Sequence, residues 1–264
     1  MEIPFTKLHG AENDFLLTWR SDVPQTDLSE AARRICNRNT GMGADGWMIV
    51  DQAPGGLETR LFNSDGSEAE ISGNGTRCAA AFALLKQAAQ GPLVMITTAA
   101  GEKKLRLLEQ EGHKFMFEME MGEPKLEELH AKLVLEGSSY DATVLNVGNP
   151  QCAIFVDSFP PNWLKLGQQA ERDPRFPRGS NVSFVRVCHP NALEVLFFER
   201  GAGETRSSGT GSTGAATAAI LRKVCRSPVE VRTPAGALQV RWDEGVFLTG
   251  PAELIGEGRF LLEF

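Results

Sequence analysis

The chain has no C-x-x-C pair: its five cysteines, Cys36, Cys78, Cys152, Cys188 and Cys225, are odd in number and scattered. That speaks against a zinc site or a disulfide framework and suits a reducing compartment, with most of the free thiols expected as small core residues. Histidine is scarce, and His9, His113, His130 and His189 lack metal-ligand spacing, so no metal is expected. No apolar run approaches the roughly 18 residues that span a bilayer. The opening residues MEIPFTKLHG lack the basic-then-apolar order of a signal peptide, which makes the cytoplasm the expected location. Positive charge is also short: 27 Lys and Arg against 34 Asp and Glu give a net charge of −7, which argues against broad binding to nucleic acid or an anionic membrane. Low-complexity segments and long linkers are absent.

What is present is a duplication. Phe62-Asn63-Ser64-Asp65-Gly66-Ser67-Glu68-Ala69-Glu70-Ile71-Ser72-Gly73-Asn74-Gly75 lies over Phe198-Glu199-Arg200-Gly201-Ala202-Gly203-Glu204-Thr205-Arg206-Ser207-Ser208-Gly209-Thr210-Gly211 at an offset of 136 residues. The copies match at Phe, at Glu68 and Glu204, and through Ser-Gly-x-Gly; the same offset pairs Asn13 with Asn149. An offset of 135 pairs Thr98-Ala99-Ala100-Gly101 with Thr233-Pro234-Ala235-Gly236. So long a period means two related domains rather than a solenoid. A length of 264 residues with 42% hydrophobic content suffices for two cores. The expected division is 1–121, to which 252–264 returns as a closing strand, and 122–251, with Gly122-Glu123-Pro124 echoed by Gly250-Pro251-Ala252.

Each motif copy runs into an Ala-rich stretch, 76–89 and 212–223, that reads as a helix. The first N–H groups of a helix lack intrahelical partners and carry the positive end of its dipole, and a Gly-rich approach lets a carboxylate come close to them. Two such ends facing one another would hold one carboxylate, with Ser72 and Ser208 on opposite faces of the adjoining carbon. Serine is also a favoured N-cap and glycine a turn residue, so one copy alone would mark only a helix start. Duplication in register is what points to a site.

Elsewhere 28–37 and 161–172 read as helices. Short β-branched or aromatic runs bounded by Gly, Pro, Asn or Asp read as strands at 46–51, 59–62, 93–98, 114–121, 142–147, 153–156, 182–187, 193–198, 229–233 and 238–242. Each half is therefore expected to be several strands with a buried, Ala-faced helix.

Seven motifs now stand in order: His9-Gly10-Ala11-Glu12-Asn13-Asp14-Phe15, Gly41-Met42-Gly43-Ala44-Asp45-Gly46, Asn63-Ser64-Asp65-Gly66-Ser67, Gly73-Asn74-Gly75-x-Arg77-Cys78, Gly148-Asn149-Pro150, Glu199-Arg200-Gly201-Ala202-Gly203-Glu204-Thr205 and Gly209-Thr210-Gly211. In this order they resemble the diaminopimelate epimerase family over nearly the whole chain. The resemblance implies an α/β fold of two pseudo-symmetric domains, each a curled mixed or antiparallel sheet around a central helix. It further implies an active site in the cleft between them and a homodimer. It also implies chemistry without pyridoxal phosphate or any other cofactor: two cysteines exchange a proton at the α-carbon of LL- or meso-diaminopimelate, one as thiolate and the other from the opposite face.

At those two catalytic positions this chain carries Ser72 and Ser208; Gln151 follows Asn-Pro where the family usually has His, and Glu12 replaces the usual Gly before Asn13. A serine hydroxyl is a far weaker acid than a thiol, so the pair needs another group to activate it. The candidate ligand is a small amino acid. Arg200 offers a planar fork for its distal carboxylate, and its counterpart at the 136-residue offset is Ser64. Asn13, Asn63, Asn149 and Asn181 offer donors and acceptors, and Glu199 an acceptor for an ammonium. Gly73, Asn74, Gly209 and Thr210 offer backbone N–H groups to the reacting carboxylate. Three accounts of the serines stay open here: Cys→Ser changes introduced to trap a ligand, altered chemistry such as another isomerase or a dehydratase of a hydroxylated amino acid, and an epimerase scaffold with weak turnover that still binds its ligand.

Overall fold

A computed structural model describes residues 1–262 and divides into two compact units, Met1–Met119 with the chain from Gly250 onward, and Glu120–Thr249. In the first unit β1 (Glu2–Gly10) turns back into β2 (Asn13–Trp19), and β2 runs parallel to β3 (Gly46–Ala53). β3 forms a hairpin with β4 (Gly56–Asn63), which is followed by the short β5 (Glu68–Ala69) and runs parallel to β6 (Leu93–Thr98). β7 (Gly101–Glu111) and β8 (Lys114–Gly122) continue antiparallel. The last strand, which in chain order is β17 (Val246–Leu261), pairs with both β8 and β1, so the hydrogen bonding of this sheet returns on itself. β1 to β17 pairing begins at Glu2 opposite Leu261; residues 263–264 of the expected closing strand lie outside the described residues.

The turn from β1 to β2 fixes one candidate residue. Gly10 pairs with Asn13, leaving Ala11 and Glu12 as a two-residue loop with φ of 50° and 60°. Positive φ at both loop positions is the twist-matched hairpin turn, and it sets Asn13 at the first position of β2.

Helix α2 (Gly73–Leu85) packs on β1, β2, β3 and β6, with every residue from Gly73 to Ala83 buried. Small side chains make that approach possible: a Cβ on Gly75 would lie 2.9 Å from the Met48 Cε and 3.3 Å from the Phe15 ring. The outer face of the sheet is covered by α1 (Leu28–Ile35), whose Ala31, Ala32 and Ile35 join Trp47, Ile49 and Phe62 in one core. Asp27 caps it, accepting the N–H groups of Ser29 and Glu30.

The second unit repeats the order. β9 (Lys125–Leu135), β10 (Ser138–Asn146) and β11 (Pro150–Phe155) are antiparallel neighbours, and β11 runs parallel to β12 (Asn181–His189). β12 pairs with β13 (Ala192–Glu199), β13 with the short β14 (Gly203–Thr205) and in parallel with β15 (Val229–Thr233), and β15 with β16 (Gly236–Trp242), which pairs with the start of β17. α3 (Trp163–Glu171) covers the outside through Leu166 and Ala170. α4 (Gly209–Leu221) packs on β10 to β13, β15 and β16 and is buried from Gly209 to Ala219. Gly211 is its close-approach point: a Cβ there would fall 2.8 Å from the Phe197 ring.

The structure thus has the α/β architecture of two pseudo-symmetric sheets, each with an Ala-rich central helix. It corrects the expected elements at several places. Both central helices begin three residues before the Ala-rich stretch, directly after the capping serines. The chain leaves α2 at Lys86, followed by Gln87 with φ of 56°, so 86–89 is not helical. β1, β2, β7 and β9 are additional strands. Among the described residues no helix is long and apolar enough to cross a membrane.

Candidate active site

Each central helix starts in the same way. Ser72 has extended backbone angles (φ −125°, ψ 122°), and its Oγ accepts the Gly75 N–H at 3.1 Å; Ser208 (φ −139°, ψ 123°) accepts the Gly211 N–H at 3.0 Å. The Ser72 carbonyl takes the Thr76 N–H and the Ser208 carbonyl the Ser212 N–H. The cap therefore uses the third and fourth N–H groups of each helix. Among the described residues the N–H groups of Gly73 and Asn74, and of Gly209 and Thr210, meet no acceptor. Two adjacent unsatisfied donors at the positive end of a helix are a ready seat for a carboxylate.

In the first unit a chain of amides leads to that seat. Asp45 Oδ2 accepts Asn13 Nδ2 at 2.7 Å, Asn13 Oδ1 accepts Asn74 Nδ2 at 3.2 Å, and Asn74 Oδ1 accepts Arg77 Nη2 at 2.5 Å. Arg77 is fully buried, with its other donors on the Gly73 and Pro251 carbonyls at 3.1 Å. Burial without a carboxylate partner lowers its pKa to about 10, which leaves it charged at neutral pH. Behind Asn13 sits Asp14: burial opposes its charge, but Arg38 and Lys7, at 2.8 and 2.9 Å, hold its carboxyl below the usual carboxylate range. Asn63 is bonded within its own turn, donating to Ser67 Oγ at 3.0 Å.

The second unit replaces amides with a carboxylate. Ser208 Oγ donates to Glu199 Oε1 at 2.6 Å, and Thr205 Oγ1 donates to Glu199 Oε2 at 2.8 Å. β13 delivers Glu199 at its last residue, and β14 folds back on it, with Glu199 opposite Gly203. Asn149 donates to Thr210 Oγ1 at 3.3 Å and accepts Gln151 Nε2 at 2.7 Å. Asn181 accepts the Arg200 N–H at 3.1 Å and donates to the Pro150 carbonyl at 3.0 Å. The Arg200 stem lies over Gly179, and its Nη1 is 3.5 Å from the Arg178 carbonyl. Ser207 Oγ and Gln151 Oε1 are buried with no partner among the described residues, polar atoms that cost free energy unless something else bonds them.

The first unit thus gathers Ser72, Gly73, Asn74 and Asn13, and the second Ser208, Gly209, Thr210, Asn149 and Glu199; Asn63 and Arg200 stand aside from the serines' own bonds. The expected ammonium acceptor Glu199 takes hydroxyl protons from Ser208 and Thr205. Sequence reasoning missed three residues: Arg77, Asp45 and Thr205. The signal for Arg77 was present, as the one charge in an otherwise uncharged helix. Burial pushes the thiols of Cys36, Cys78 and Cys152 up to about 12 and raises that of Cys225.

Comparison with known proteins agrees with this geometry. The family profile described as diaminopimelate epimerase matches residues 5–127 and 143–255. The diaminopimelate epimerase of Pelotomaculum thermopropionicum is 36% identical over 276 residues, covering 97% of this chain and 98% of that protein. That of Moorella thermoacetica is 37% identical over 280 residues, covering 98% and 99%. Among solved structures, a hydroxyproline epimerase from Agrobacterium vitis superposes with a TM-score of 0.79 at 16% identity, over 100% of this chain and 93% of that one. A PhzF-family phenazine biosynthesis protein from Bacillus anthracis gives 0.73 at 14%, over 99% and 100%, and at such identities the likeness is one of fold. On sequence over nearly its whole length, the chain belongs to the diaminopimelate epimerase family.

Proposed function

We propose that this protein is a cofactor-independent amino-acid epimerase of the diaminopimelate epimerase type, moving a proton at the α-carbon of LL- or meso-diaminopimelate in lysine and peptidoglycan precursor synthesis. The observation that carries it is the repeated helix start: a serine hydroxyl beside two unsatisfied N–H groups, once in each unit. Epimerisation takes one group to remove a proton and one to deliver it, and the negative charge formed on deprotonation spreads into the carboxylate that those N–H groups would hold. Asn13, Asn149, Asn181 and Arg200 are the proposed holders of the amino-acid ends. A cytoplasmic setting and a homodimer belong to the same proposal, with family membership as their support.

A second account, a homologue that binds the ligand with little turnover, is favoured by the hydroxyls themselves. Incubation with LL- or meso-diaminopimelate in deuterated water, followed by NMR, separates the two. Loss of the α-proton signal supports the epimerase. Ligand-induced thermal stabilisation without that loss supports the binding homologue, since a ligand that binds only the folded state raises its stability.

A further inference from the structure

Arg77 stands at the start of the second turn of α2 with 0% of its surface exposed, and its guanidinium is held entirely by oxygens of the first unit. Nε donates to the Pro251 carbonyl at 3.1 Å, Nη1 to the Gly73 carbonyl at 3.1 Å and Nη2 to Asn74 Oδ1 at 2.5 Å. All three acceptors are neutral, and among the described residues no carboxylate pairs with Arg77. Burial opposes its charge, yet the group stays protonated at neutral pH. A buried cation held on neutral oxygens is costly, and an anion brought beside it relieves part of that cost. The end of β1 is shaped around it: a Cβ at Gly10 would lie 3.2 Å from Arg77 Nη2 and 3.1 Å from the Pro251 oxygen.

Two of the three bonds reach the helix start. The Gly73 carbonyl and the Asn74 N–H are the two ends of one peptide group, so a positive charge on that oxygen polarises the amide and makes its N–H a stronger donor. The bond to Asn74 Oδ1 fixes the side-chain amide as well, which leaves Asn74 Nδ2 to donate to Asn13 Oδ1 at 3.2 Å. We infer that Arg77 is the counter-charge of the carboxylate seat at the start of α2, a positioning residue that strengthens the Asn74 N–H through the Gly73–Asn74 peptide and holds Asn74 and Asn13 in place. This rests on the proposed function, which seats the reacting carboxylate at the same N–H groups. When the α-proton leaves, the carboxylate takes up further negative charge, and a cation already fixed in the core needs no reorganisation to meet it. Arg77 therefore counts for more in deprotonation than in binding.

The test compares wild type, Arg77→Gln and Arg77→Lys in two measurements: thermal stabilisation over a range of diaminopimelate concentrations, and α-deuterium gain in deuterated water at saturating ligand. Arg77→Gln should weaken binding by a few-fold and lower exchange at saturation by roughly tenfold or more, and Arg77→Lys, which keeps the charge, should recover part of both. A packing role alone would lower the melting temperature and leave affinity and exchange where they were. Affinity and exchange of Arg77→Gln within about twofold of wild type would therefore overturn the inference and leave the proposed function standing. A wild type stabilised by the ligand without exchange would overturn the proposed function, and equal affinity in wild type and Arg77→Gln would then overturn the inference as well. For the case in which Arg77→Gln fails to fold, Asn74→Asp asks the same question. It sets a carboxylate against Arg77 Nη2, so it should unfold at a higher denaturant concentration than wild type while losing affinity for diaminopimelate by roughly tenfold or more. A lower unfolding midpoint for Asn74→Asp would show that Arg77 lacks no counter-charge and would overturn the inference.

Discussion

Ser72 and Ser208 are the N-caps of α2 and α4, and the proposed reaction gives each a second job. As N-caps they satisfy a helix N–H, a contact whose loss to alanine costs about 1 kcal/mol. A hydroxyl is a weak acid and a weak base, so in the proposed reaction the neighbours matter: a carboxylate bonded to Ser208, and a buried guanidinium on the carbonyl of Gly73, next to Ser72. Cys36, Cys78, Cys152 and Cys225 are buried and Cys188 is exposed. Burial disfavours the thiolate that reacts with disulfide reagents, so the folded protein should titrate at Cys188 alone and at all five cysteines after unfolding. A second thiol reacting at a comparable rate in the native state would show that the core around α2 or α4 opens more readily than its packing implies.

At the scale of elements, the central helices come closest to their surroundings at Gly75 and Gly211, at matching places in α2 and α4. A methyl group at Gly75 meets the mobile end of Met48, which can move aside; at Gly211 it meets the buried Phe197 ring at 2.8 Å and the Ser208 Oγ at 2.9 Å. Gly211→Ala should therefore cost about 1–3 kcal/mol in denaturant unfolding and disturb the Ser208 hydroxyl, and Gly75→Ala should cost less. Equal costs would mean that Phe197 yields as easily as Met48. These helices were legible in the sequence, because a serine followed by Gly-x-Gly and alanines twice over is a strong local signal. The strands that escaped notice lack one. β2 is buried along most of its length, so it shows no alternation, and β1 carries Pro4. The first half of β9, Lys-Leu-Glu-Glu-Leu-His, is largely exposed, and its charges read as solvated chain rather than sheet. The Ser208 to Glu199 bond was illegible for a different reason. It depends on β14 folding back along β13, a pairing set by Gly201 and Gly203 at positive φ rather than by any spacing of polar residues.

For the molecule as a whole, duplication explains both what was readable and what was not. Two copies of one plan share backbone devices, the capped helix start and its two unsatisfied N–H groups, so the offset of 136 residues locates both at once. Side chains that diverged after the duplication, Glu199 against Asn63 and Arg77 against Thr213, carry the asymmetry, and their roles emerge only from the contacts they make. The central claim is that both serines act in one reaction. Its most direct test is the rate of interconversion of LL- and meso-diaminopimelate, followed by chiral chromatography, in the wild type, Ser72→Ala and Ser208→Ala, with folding checked by thermal unfolding. Both variants should fold with slightly lower stability, and each should lose inversion by on the order of a hundredfold or more, the scale of a removed acid or base. A wild type that inverts no faster than buffer, or either alanine variant inverting at the wild-type rate, would contradict it.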